Sequence, residues 1–148
     1  MLDFGREMCS DLAHAEATEW LVTNGLGGYA MGTVAGTLAR SYHGLLVAAM
    51  SPPDSPGNPP AARTLLLAKL DEEVTYRGES FKLHSNRHAN RPGARLGESW
   101  ITPDGYRALE RFHLEGSIPV WTYVFADALL EKRVWMQAGA NTTYVRFT

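Results

Sequence analysis

The chain has 148 residues, 45% of them hydrophobic and 20% charged, with a formal net charge of −2. That length predicts one domain able to bury about 70% of its unfolded surface, and the near-neutral charge makes no case for nucleic acid or an anionic membrane. A lone cysteine, Cys9, in a segment expected at the domain edge, excludes a disulfide framework and a thiolate metal cluster, and no apolar run approaches the roughly 18 residues of a membrane span.

The first twenty residues carry acids and no apolar core, so they do not read as a signal peptide, and a cytoplasmic protein is expected. Asn141-Thr142-Thr143 matches the N-glycosylation pattern and is read as a chance match for that reason. Ser10 to Ala17 predicts a short helix with Ser10 as N-cap and Asp11 in the first turn. At two turns it needs the rest of the domain to hold it.

Trp20 to Thr23 predicts a strand that breaks at Asn24-Gly25-Leu26-Gly27-Gly28. Gly25 to Ala30 fits the loose pattern G-x-G-x-x-A, but a dinucleotide site needs a helix to start there. Gly32, Thr33, Val34, Gly36 and Thr37 make a poor helix, and no acidic residue follows between Arg40 and Pro53. A glycine-rich turn between strands is the better reading. It presents Arg40-Ser41-Tyr42-His43-Gly44 just before the apolar run Leu45 to Met50, and the cost of burying an unpaired charge puts Arg40 and His43 at an open polar junction rather than in the core.

Ser51 to Ala62 holds five of the eight prolines and predicts an exposed loop between strands. Thr64 to Leu70 reads as a strand. Val74 to Tyr76 and Phe81 to Leu83 flank Arg77-Gly78-Glu79 as a hairpin. His84 to Arg95 is polar and basic and predicts a mobile loop. His84 and His88 stand four apart, but no helix is credible there to align them as metal ligands.

From Tyr106 the apolar alternation is clearest, with Ala108, Glu110, Phe112 and Leu114 set against Arg107, Leu109, Arg111 and His113. Both faces of the Val120 to Phe125 run are apolar, which predicts a strand held between two layers. The next run carries Leu130, Val134 and Met136 on one face, and Glu131, Arg133 and Trp135 on the other, a mixed pattern that suggests an interface. Thr143, Val145 and Phe147 alternate in one further strand, at which the chain stops, as a piece of a longer protein would. Roughly nine or ten short strands argue for an all-β fold, an antiparallel β-sandwich with a short N-terminal helix.

Glycoside hydrolysis needs two carboxylates facing each other across a bond. The run Asp71-Glu72-Glu73 points its members to alternate faces and makes a poor pair. No metal site and no cofactor is expected. Asn24, Tyr29, Arg40, Tyr42 and His43 are of the types that grip sugars, aromatic faces and planar polar groups, and they lie among glycines. Trp20 and Trp100 are weaker candidates.

The runs EWLVTNGLGGYA, GTVAGTLARSYHGLLVAA, TLLLAKLDEEV, PDGYRALERFHLE, PVWTYVF and LLEKRVWMQAGANTTYVRF resemble, in order, the N-terminal domain of bacterial and archaeal-type glycogen debranching enzymes (amylo-α-1,6-glucosidases). The resemblance runs from about Glu19 to the last residue. A second basic residue often stands in that family where this chain has Ser41, so the cationic part of the loop rests on Arg40. The resemblance implies a large twisted sandwich (supersandwich-like) ahead of a C-terminal helical toroid that carries the catalytic acids, so no catalytic residue is assigned within this chain. It further implies an α-glucan (glycogen-like) substrate cut at α-1,6 branch points. An apolar face left without that partner predicts self-association. The rival reading is a stand-alone carbohydrate-binding sandwich without an enzymatic parent.

Overall fold

The computed structural model describes residues 2–50, 62–89 and 99–148. The chain opens with β1 (Asp3–Gly5), α1 (Arg6–Cys9) and α2 (Leu12–Ala17), then runs through β2 (Glu19–Thr23), β3 (Tyr29–Thr33), β4 (Gly44–Met50) and β5 (Ala62–Leu67). Two small hairpins follow, β6 (Glu73–Tyr76) with β7 (Glu79–Lys82), and β8 (Ser85–His88) with β9 (Trp100–Asp104). A 3-10 turn over Gly105–Ala108 leads into β10 (Leu109–Glu115), β11 (Ile118–Phe125), β12 (Ala128–Met136) and β13 (Thr143–Phe147).

Every pairing is antiparallel. One sheet has the order β1-β10-β11-β12-β13 and the other β2-β3-β4-β5. Their inner faces share one core that includes Val22, Ala30, Phe112, Trp121, Tyr123 and Val134. The fold is the antiparallel β-sandwich that the alternation predicts. No helix of the described residues is long and apolar enough to cross a membrane.

Trp20 of β2 and Trp121 of β11 join the layers, edge to face at 5.3 Å, the arrangement the ring quadrupoles favour. Both indole N–H groups are satisfied by carbonyls, Trp20 by Thr33 and Trp121 by Val34. Phe81 of β7 stacks on Phe125 at 4.8 Å and folds the β6–β7 hairpin over one end of the core.

Four local expectations are corrected. Ser10 is not the N-cap: it closes α1, while Asp11 caps α2 by accepting from the Ala13 N–H at 2.9 Å. Cys9, expected at an edge, is buried, and that burial pushes its thiol up to about 11. The stretch from Tyr106 is first a 3-10 turn, and a bulge between Leu109 and Arg111 then breaks strict alternation. The extra residue brings Leu109 and Phe112 to the same inner face, where both are fully buried. Finally, Ser85 to His88 is a strand, not a loop. Its one buried side chain, Ser85, accepts from the Tyr106 N–H at 2.9 Å, so polar pairing replaces the apolar signal.

The proline-rich residues 51–61 and the basic residues 90–95, together with Glu98, lie outside the described residues.

Candidate functional site

The glycine-rich turn between β2 and β3 is built around the Asn24 side chain. Its carbonyl oxygen accepts from Leu26 N–H at 2.9 Å and Gly28 N–H at 3.0 Å. Its amide donates to the Ala140 carbonyl at 3.1 Å and to Asn141 Oδ1 at 3.0 Å. These four bonds use the full capacity of the amide. Gly25 and Gly27 hold φ of 77° and 93°, a region that glycine enters without strain. A Cβ on Gly28 would lie 2.5 Å from Asn24 Nδ2 and 2.8 Å from Asn141 Oδ1. The motif is therefore a self-closing turn, and no helix starts there.

The loop from Val34 to His43 is pinned at both ends. Thr33 Oγ1 donates to the Thr37 carbonyl at 2.8 Å, and Thr37 Oγ1 donates to Glu16 at 2.8 Å. At the far end Glu19 acts as a hub. Arg40 Nε donates to Glu19 Oε1 at 2.6 Å, and His43 Nε2 lies 2.9 Å from the same oxygen. His43 Nδ1 accepts from the Ala39 N–H at 3.2 Å, which fits the tautomer carrying its proton on Nε2. The bond from Arg40 is the main reason the Glu19 carboxyl sits below its ordinary range; partial desolvation opposes it, and His43 adds to it.

Two of these partners differ in kind. The His43 side chain is 0% exposed, whereas that of Arg40 is 56% exposed. Sequence reasoning expected both at an open polar junction. His43 is interior because a carboxylate and a backbone N–H occupy its two nitrogens, which removes the penalty for burying the ring.

On the surface the loop meets β3. Tyr29 donates its hydroxyl to the Tyr42 carbonyl at 2.9 Å. The Tyr42 ring is held edge-on to His43 at 5.5 Å and the residue is 47% exposed. The Arg40 guanidinium lies 6.0 Å from the Tyr42 ring centre, and that of Arg63 lies 5.8 Å from the Tyr29 ring centre. Arg63 is fixed there by donating to the Gly27 carbonyl at 2.8 Å. Beside them runs a shallow groove of about 280 Å³ lined by Leu21, Thr23, Gly27, Tyr29, Met31 and Arg63. An apolar floor with aromatic rings and two guanidinium forks offers stacking faces and directed donors together.

Of the five candidate residues, Tyr29, Arg40 and Tyr42 come together at this surface. Asn24 and His43 lie beneath it and hold it in shape. Trp20 is committed to the core, and Trp100 stands on β9 beside His88, at 5.5 Å between rings. Two residues of the site escaped sequence reasoning. Glu19 stands just before the predicted strand Trp20 to Thr23 with nothing to set it apart, and Arg63 stands just after the proline-rich stretch with no motif around it.

Among the described residues no group of three or more His, Cys, Asp or Glu side chains could hold a metal ion. His84 and His88 each bond a separate carbonyl, of Glu72 and Thr102 respectively. Among the described residues every carboxyl with a clear displacement is lowered, by Arg111 at Asp3, His14 at Asp11, Arg40 at Glu19, Lys69 at Asp71 and Arg133 at Glu115. A general acid for glycoside cleavage needs the opposite shift.

The fold is an antiparallel β-sandwich, and its exposed aromatic and cationic loop is the kind of surface that meets a ligand or a neighbouring domain. The profile of the family described as "Glycogen debranching enzyme N terminal" matches residues 18–148, and the chain belongs to that family. No curated protein and no solved structure matches the chain.

Proposed function

We propose that the chain is a single, non-catalytic N-terminal domain of a cytoplasmic glycogen debranching enzyme, a glycoside hydrolase that cleaves α-1,6-glucosidic branch points. The domain docks on a C-terminal helical catalytic domain of the same chain, and the surface of Tyr29, Arg40, Tyr42 and Arg63 contacts the glucan. The observation that carries this reading is the family match over residues 18–148. The stacked guanidinium and phenol groups support the sugar contact. The exposed leucines of β5 support docking over a stand-alone module, because a free module gains nothing from presenting them to water.

The test has two parts. The chain alone should release no glucose from α-1,6- or α-1,4-linked glucans. In affinity electrophoresis through glycogen, Tyr29→Ala and Tyr42→Ala should each weaken retention at least about fivefold, roughly 1 kcal/mol of stacking. Unchanged retention in both variants would remove the sugar contact. It would leave the surface as part of the contact with the catalytic domain.

A further inference from the structure

A second cleft opens between the two sheets. Its walls include Trp20, Trp121, Tyr123 and Lys132 from the strands, and Lys69 and Glu72 from the connection between β5 and β6. The cavity measures about 50 Å³ and shares only Met31 with the groove described above.

Lys132 is out of place by any apolar pattern. The register sets it directly opposite Trp121, on the inner face with Leu130 and Val134. A cation there must be compensated, since an unpaired buried charge is strongly unfavourable. Glu72 pairs with it, and the ammonium lies 5.3 Å from the Trp121 ring centre. Lys69 reaches the same cleft, paired with Asp71 at 2.7 Å and donating to the Ser85 carbonyl at 3.2 Å.

Tyr123 stands two residues along the same face of β11 as Trp121 and lines the cleft, although the residue as a whole is only 4% exposed. Burial first, and then the nearby Glu72 carboxylate, push its ionisation far upward, so the group stays a donor.

The lining thus combines an indole wall, a phenol, and ammonium groups each paired with a carboxylate, Lys132 with Glu72 inside the lining and Lys69 with Asp71 just outside it. Cancelled charge disfavours an anion or a cation and favours a neutral ligand with many hydroxyls. The volume is several times the roughly 10–15 Å³ that one water needs on the same measure, and admits the hydroxyl-bearing edge of one ring but no oligosaccharide.

We propose that this inter-sheet cleft binds one neutral hexose edge-on, either free or as the terminal residue of a chain. Tyr123 and Lys132 donate to its hydroxyls, Glu72 accepts from one, and Trp20 supplies the apolar wall. The choice of a hexose among neutral polyols rests on the glucan reading above, while the cleft itself does not depend on Tyr29 or Tyr42.

The test is a titration of the full chain with glucose, with maltotriose and with glucose 6-phosphate, read at the indole N–H resonances. Trp20 and Trp121 line the cleft, and Trp135 does not, so it serves as an internal control. Glucose should shift Trp20 and Trp121 saturably in the millimolar range, with glucose 6-phosphate binding more weakly. A maltotriose response matching glucose points to the chain terminus, and its absence points to the free sugar. Tyr123→Phe keeps the packing and should weaken glucose at least about fivefold, the loss of one hydrogen bond. No saturable shift up to about 100 mM glucose, equal affinity in Tyr123→Phe, or tighter binding of the phosphate would each overturn the inference. Tyr42→Ala leaves this titration unchanged, so failure at the outer surface and failure at the cleft read out separately.

Discussion

Asn24 and Asn141, 117 positions apart, meet side chain to side chain, with Asn24 Nδ2 donating to Asn141 Oδ1 at 3.0 Å. Asn141 also exchanges two hydrogen bonds with the backbone of Ala49, at 3.0 and 2.9 Å. Three segments are tied at one point: the β2–β3 turn, the end of β4 and the β12–β13 turn. The two sheets are therefore joined there by polar bonds as well as by the core. The same commitment of the Asn141 amide keeps it from serving as a glycosylation acceptor while the domain is folded.

Removing this clasp should destabilise the domain. Asn24→Ala leaves the Leu26 and Gly28 N–H groups without their acceptor and removes the Asn24 donor from Asn141, which then holds only to Ala49. An unsatisfied buried group costs about 1–3 kcal/mol, so a loss of roughly 2–4 kcal/mol is expected by urea unfolding. A loss below about 1 kcal/mol would mean that water replaces the clasp and that the turn holds itself.

The clasp also marks where sequence reading ran out. Strands β12 and β13 were legible because their residues alternate, β4 and β11 because their apolar runs are continuous, β2 because a glycine-rich break follows it, and the β6–β7 hairpin because Arg77-Gly78 marks its turn. Strand β8 was not, since its Ser85-Asn86-Arg87-His88 carries no apolar period and depends on a partner twelve or more residues away. Tyr29, Arg40 and Tyr42 could be nominated by type and glycine context. That Asn24 and His43 face inward could not, because their partners, Asn141 and Glu19, are set by tertiary contact. Lys132 was hidden for the opposite reason: a lysine amid strand alternation reads as outward, and only Glu72 makes its inward position tolerable.

Arg40 and His43 should separate in their effects on stability. Arg40→Ala removes a largely exposed, solvent-screened ion pair, so the melting temperature should move little. His43→Ala empties a buried site and strips partners from both Glu19 and the Ala39 N–H, for roughly 2–4 kcal/mol. Thermal unfolding of the two variants side by side decides this. Equal losses would mean that Arg40, not His43, organises the loop.

Acid should loosen the domain in a defined window. The carboxyls of Asp3, Asp11, Glu19, Asp71 and Glu115 all titrate below their ordinary range when folded. Below about pH 4 the unfolded chain then takes up more protons than the folded one. The stabilisation is complete above that ordinary range and is lost as pH falls through the lowered folded values. The melting temperature should hold between pH 6 and about 5 and drop below about 4, with part of the drop absent in Glu19→Gln. Most of these groups are exposed, so added salt should shrink the effect. A flat profile down to pH 3 would contradict the pairings.

The Lys132–Glu72 pair should behave as a coupled unit. Lys132→Met alone leaves Glu72 facing the cleft without its cation, and a loss of about 2–3 kcal/mol is expected. The double change Lys132→Met with Glu72→Leu replaces the pair by apolar bulk and should recover most of it. A double-mutant cycle by urea unfolding measures the difference. Additive losses would show that the two charges do not depend on each other.

The edge of the smaller sheet sets the last expectation. All six residues of β5 are exposed, and Leu65, Leu66 and Leu67 stand there in succession, Leu66 at 58%. Strand β5 pairs with β4 on one side, and among the described residues no strand pairs with its other side. An open strand edge carrying three leucines and one charge, Arg63, is a template for pairing with another strand. Two copies meeting through β5 in antiparallel register would extend the sheet and shield the leucines of both, the self-complementary geometry of a two-fold dimer. The sedimentation coefficient of the chain should therefore rise with concentration. Leu66→Lys places a charge on that edge without touching the core, so it should suppress the rise and leave the melting temperature within a few degrees. A chain that sediments as a monomer at about 1 mM, where even contacts of roughly 4 kcal/mol are half populated, would show that this edge does not associate.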